Sequence, residues 1–172
     1  MQLKLIGAVI ILITCSAFGF YIAAMRRRET AYLKHMLHAL DYMSSELQYH
    51  LTPLPQLMRQ TAQQCWDKHL RAVFLEFCYQ LEDKYYCDFY QCAQTVLGKF
   101  KHLIPKRCLS VFYELSRSMG RFDLKGQLNT IMATREYCLN EYNTLSANLS
   151  EQLRDYRTLG ICAGAALVIL FI

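Results

Sequence analysis

The chain has 172 residues, 53% of them hydrophobic, with only 7 Gly and 3 Pro, which excludes a disordered tail and leaves room for one compact unit with appendages. Its 19 Lys and Arg exceed its 14 Asp and Glu by a formal +5, too mild to mark a nucleic-acid binder. The apolar residues crowd the two ends, which argues against a freely soluble enzyme.

In chain order, the run from Leu5 to Met25 carries no charge and as a helix is about 30 Å long, the thickness of a bilayer's hydrocarbon core. It predicts an N-terminal transmembrane anchor over residues 1–25. The competing reading is a secretory signal, since Lys4 precedes the run and Thr14, Cys15, Ser16 and Ala17 imitate a cleavage region. Against it, the apolar run continues past that point, and Arg26, Arg27 and Arg28 follow at once and resist translocation. The same arginines place the following segment in the cytoplasm.

Residues 26–157 show no period-two alternation and no hairpin signal, and Gly is scarce before Gly98, so this stretch is expected to be all helical. Leu33, Met36, Leu37, Leu40, Met43, Leu47 and Leu51 recur at steps of three and four, an amphipathic helix that continues the first span. Thr52 and Pro53 stop it, with Thr52 the expected cap of a helix over Leu54 to Gln64 that tolerates Pro55 in its first turn. Further helices are expected over Lys68 to Asp83, Asp88 to Phe100 and Pro105 to Met119. Gly98 and Pro105 bracket one turn, and Gly120 closes the last of these helices. Asp123 reads as the N-cap of a final helix with apolar positions Leu124, Leu128, Ile131, Leu145, Leu149 and Leu153.

Leu159 to Ile172 is again charge-free but only about 21 Å long as a helix. It reads as a second transmembrane segment over residues 158–172 if Arg154 and Arg157 snorkel to the headgroups and Gly160, Ala163, Gly164 and Ala166 pack on another helix. A buried or interfacial tail is the alternative. With both ends in the membrane, every acidic residue and every basic one but Lys4 lies between them, in the cytoplasm. The expected fold is all-α: a cytoplasmic bundle of five to six helices flanked by N- and C-terminal transmembrane helices.

That placement makes the 8 cysteines free thiols of a reducing compartment. Cys87 and Cys92 fall on different faces of a helix, and no two close Cys/His couplets occur as a zinc site needs. There is no phosphate loop, dinucleotide fingerprint or paired-His motif, so no cofactor, small-molecule substrate or catalytic residue is expected. His35 with His38, and Cys65 with His69, imitate a metal pair and a thiol nucleophile, but such pairs arise by chance in helical proteins. Glu82, Asp83 and Asp88 read as a solvated face and a cap.

Lys99, Lys101, Lys106, Arg107, Arg117 and Arg121, with Lys125, are opposed only by Glu114 and Asp123. They form a candidate surface for an acidic protein or for anionic lipid headgroups, against the alternative of ordinary surface charge. Few aromatics interleave, so a nucleic-acid partner is not expected. The aromatic stretch from Phe74 to Tyr90 reads as core, although Tyr85, Tyr86, Phe89 and Tyr90 cover more than one helix face.

Taken together, several segments resemble the stage III sporulation protein AB family over the full length. They are the opening LKLIGAVIILI, then Glu46, Leu47 and Tyr49 running into Thr52, Pro53, Leu54 and Pro55, then Gly120, Asp123 and Gln127 in MGRFDLKGQL, and the closing YRTLGICAGAALVILFI from Tyr156 to Ile172. Residues 65 to 100, rich in Cys and Tyr, fit the pattern least. The resemblance implies a non-enzymatic component of the channel-like complex that endospore-forming bacteria build in the mother-cell membrane around the forespore. It also implies a cytoplasmic part similar to the platform protein of type II secretion and type IV pilus machines, coupling a cytoplasmic ATPase, here stage III sporulation protein AA, to the membrane assembly. The alternative is a membrane-anchored adaptor or signalling protein unrelated to sporulation.

Overall fold

The computed structural model describes residues 2–83, 88–119 and 124–147, together with 158 and 162; the side chains of residues 2–12, 15, 16 and 118 lie outside the description. Among the described residues there are six helices and no strand: α1 (Gln2–His50), α2 (Leu54–Gln64), α3 (Lys68–Asp83), α4 (Phe89–Phe100), α5 (Lys106–Ser118) and α6 (Leu124–Ser146). The all-α expectation holds. The chain groups into two compact units, residues 31–143 and the two ends, 1–30 with 144–172.

Residues 31–143 form the helical bundle. α1 contributes Leu33, Met36, Leu40, Met43 and Leu47 to its core, the stripe that the three- and four-residue spacing predicts. The consecutive helices α2 to α5 pack each on the next. Phe77 of α3 is central, stacked 5.3 Å from Phe89 of α4 and 5.9 Å from Phe112 of α5, while Phe74 meets Phe112 at 5.3 Å. The aromatic stretch that begins at Phe74 is thus core at Phe74, Phe77 and Phe89. Tyr85 and Tyr86 lie outside the described residues. α6 buries Ile131, Thr134 and Cys138 at steps of three and four, and the Cys138 thiol donates to the Leu33 carbonyl of α1 at 3.7 Å.

The helix boundaries follow the sequence with two corrections. Thr52 does not cap α2. The N-cap is Pro53, whose carbonyl accepts from Leu57 N–H at 2.9 Å, and the Thr52 hydroxyl turns back to donate to Glu46 at 3.2 Å. Pro55 stands where a capping side chain would seek an N–H, and proline has none. Gly98 does not mark the α4–α5 turn either. α4 continues through it to Phe100, and the chain turns over Lys101–Ile104, with Leu103 and Ile104 N–H both reaching the Phe100 carbonyl. A glycine lowers helix propensity by only about 1 kcal/mol, and Pro105, the N-cap of α5, is the stronger boundary.

Asp88 caps α4 as expected, its carboxylate accepting from Tyr90 N–H. Gly120 and Asp123 lie outside the described residues. Between α1 and α2, Leu51 takes φ 53, a left-handed conformation that a branched side chain rarely adopts.

In the terminal unit, the described part of α1 exposes Ile13, Phe18, Phe20, Tyr21 and Met25. Among the described residues, no helix is long and apolar enough to cross a membrane. Of the expected first span, the side chains of residues 5–12, 15 and 16 lie outside the description. Of the expected second span, everything but Thr158 and Cys162 does.

Candidate functional site

The cations singled out in the sequence have different fates. The Lys99 ammonium meets Glu76 and ties α4 to α3; Arg107 meets Glu141 and ties α5 to α6; Arg117 pairs within its own helix with Glu114 at 3.4 Å. The Lys99 hydrogen bond holds the Glu76 carboxyl below the usual carboxylate range. Arg121 lies outside the described residues, and Lys125 is exposed at the start of α6. Lys101 and Lys106 remain, both exposed on the α4–α5 turn and its continuation, beside exposed His102 and Leu103. Neither makes an ion pair among the described residues.

The arginines expected to flank the membrane divide similarly. Arg26 sits 3.6 Å from Glu29, Arg27 and Arg28 are exposed, and Arg154 and Arg157 lie outside the described residues.

The buried thiols of the bundle are unsuited to nucleophilic work. Cys65, Cys78, Cys92, Cys108 and Cys138 are buried and none forms a disulfide among the described residues. Burial pushes the Cys65 and Cys138 thiols up to about 12 and raises that of Cys108 as well, so none of the three supplies a thiolate at neutral pH. Among the described residues no hydrogen bond joins Cys65 to His69, whose backbone N–H donates to Asp67 at 2.9 Å as α3 begins. Glu82 is engaged with Arg59 of α2 at 2.7 Å. Among the described residues no three His, Cys, Asp or Glu side chains come together as a metal site requires.

A further cationic surface is invisible in the linear sequence. A groove of about 600 Å³ runs along α1 and is bordered by the end of α2; Lys34, His35, His38 and Tyr42 line one side, Gln64, Cys65 and Trp66 the other. Trp66, the only tryptophan, is 90% exposed. Two residues on, Lys68 is exposed, and the Arg71 guanidinium folds back to donate to the Cys65 carbonyl at 2.8 and 3.2 Å. Asp67 is the carboxylate next to Trp66, and it is occupied by the N–H groups of His69 and Leu70. The sequence signal was a lone Trp in a short connection between two helices. The cations around it come from α1 and α3, so no window of sequence shows them together.

A family model for stage III sporulation protein AB matches residues 4–172. The chain belongs to that family. A solved structure described as stage III sporulation protein AB superposes with a TM-score of 0.61 at 19% identity, over 71% of this chain and 96% of that one, which shows a shared fold. No curated protein matches. Among the residues that carry the resemblance to the stage III sporulation protein AB family, Glu46, Thr52 and Pro53 meet at the α1–α2 connection, where Thr52 bonds the Glu46 carboxylate and Pro53 starts α2.

Proposed function

We propose that this member of the family is a non-enzymatic platform component of a sporulation channel-like complex. In this reading Leu5–Met25 and the C-terminal segment anchor the chain in the mother-cell membrane, with the bundle in the cytoplasm. The bundle couples the AA-type ATPase to the membrane assembly through the exposed turn of Lys101 and Lys106. Family membership across residues 4–172 carries the reading. The exposed apolar side chains of Ile13, Phe18 and Tyr21, followed by the arginines of α1, support the anchor. The exposure of Lys101 and Lys106, away from the carboxylates that hold Lys99 and Arg107, supports the docking surface, because a cation already holding a carboxylate of its own chain gains little from a partner's.

The test is purification of the tagged full chain in mild detergent from cells shortly after asymmetric division. The AA-type ATPase is expected to copurify with the wild type and to be largely lost from Lys101→Glu/Lys106→Glu. Normal recovery with the reversed charges refutes the docking surface. Recovery of no sporulation membrane protein by the folded wild type refutes the platform role.

A further inference from the structure

We propose that the groove between α1 and the end of α2, with Trp66 at its rim, is a docking site for the headgroup of an anionic phospholipid. The inference rests on the reading of Leu5–Met25 as a membrane anchor. Three observations lead to it.

First, the one formally charged side chain that lines the groove, Lys34, has no internal answer. Lys34, His35 and His38 line the groove, no carboxylate does, and among the described residues neither Lys34 nor the nearby Lys68 makes an ion pair. Elsewhere in the bundle several cations are matched, Arg59 with Glu82, Lys99 with Glu76, Arg107 with Glu141 and Arg135 with Asp41. Second, Trp66 is the most exposed large apolar side chain among the described residues, at 90%. An indole with an apolar body and one N–H donor has its preferred environment at the level of lipid headgroups, where both ends are satisfied. Third, the α1 residues of the groove follow closely on Arg26, Arg27 and Arg28, the cations that end the charge-free segment. Each basic side chain near an anionic leaflet strengthens the attraction. An acidic protein would satisfy the charges as well, and the basic run that precedes the groove residues along α1 favours the lipid.

Because Trp66 is the sole tryptophan, its fluorescence reads the site without a label. The full chain is incorporated into nanodiscs of phosphatidylcholine alone, or of phosphatidylcholine with an equal part of phosphatidylglycerol. Binding predicts a blue shift of Trp66 emission only in the discs with phosphatidylglycerol, and quenching when that lipid carries bromine. Both effects should be lost in Lys34→Gln/Lys68→Gln, whose exposed positions leave the helix content unchanged by circular dichroism. Equal emission in the two compositions overturns the headgroup site while leaving the anchor intact. A blue shift in both equally means simple burial of the indole and overturns it too. A shift produced in phosphatidylcholine discs by a polyglutamate peptide, and not by phosphatidylglycerol, assigns the groove to an acidic protein instead. Failure of the chain to enter either disc overturns the anchor and this inference with it.

Discussion

Around the α4–α5 side of the bundle, Lys99, Arg107 and Arg117 each face a carboxylate of the same chain, whereas around Trp66 neither Lys34 nor Lys68 does so among the described residues. The α4–α5 region is dense in positive charge along the sequence and partly neutralised in space. The Trp66 region has its cations scattered along the sequence, and Lys34 and Lys68 make no ion pair among the described residues. Helix packing accounts for the inversion. Side chains from neighbouring helices meet across the bundle, so Glu76 and Glu141 reach cations 23 and 34 residues away. Charge available to a partner is what remains after those meetings, and a linear count does not see them.

The comparison can be broken at its common foundation or sharpened at its edges. The largest effect is expected from alkali, because both surfaces stand on a core that holds Cys65, Cys108 and Cys138 as neutral thiols. Burial raises their folded-state pKa above the ordinary 9.0. Their contribution is therefore complete below pH 9 and is lost as pH rises from there toward 12, at about 1.4 kcal/mol per pH unit for each thiol. Urea midpoints taken on either side of the ordinary thiol range should fall steeply, and a flat profile would show that these thiols meet water. Next in size, Phe112→Ala empties the ring contacts with Phe74 and Phe77 and should cost about 3–5 kcal/mol by urea denaturation. It should loosen both surfaces together.

Smaller effects separate the two kinds of cation. Arg107→Ala removes the tie from α5 to Glu141 of α6 and should cost about 0.5–1 kcal/mol, since the pair is partly exposed; Lys106→Ala, one residue away, should leave the urea midpoint unchanged. Equal costs would mean that both lysine and arginine are structural. The smallest change is a gain. A Cβ at Gly98 meets nothing within 4 Å, so Gly98→Ala should stabilise the end of α4 by about 0.5–1 kcal/mol in the same measurement, without altering Trp66 emission.

The sequence by itself determined the helices of this protein and most of their limits. Leu54–Gln64 and Lys68–Asp83 appear with the expected ends because apolar periodicity, proline and capping residues act within a few residues of one another. The two residues whose roles differed, Thr52 as a cap and Gly98 as a turn marker, carried a local signal weaker than a neighbouring proline or, for Thr52, than a tertiary bond to Glu46. The family resemblance was also legible, since it lives in the order of segments along the chain. The tertiary structure alone decided which charges are engaged within the chain and which face solvent. It paired Lys99 and Arg107 with carboxylates of other helices and brought Lys34 beside Trp66, because pairing energies depend on distances of a few Å between helices that no spacing along the chain encodes.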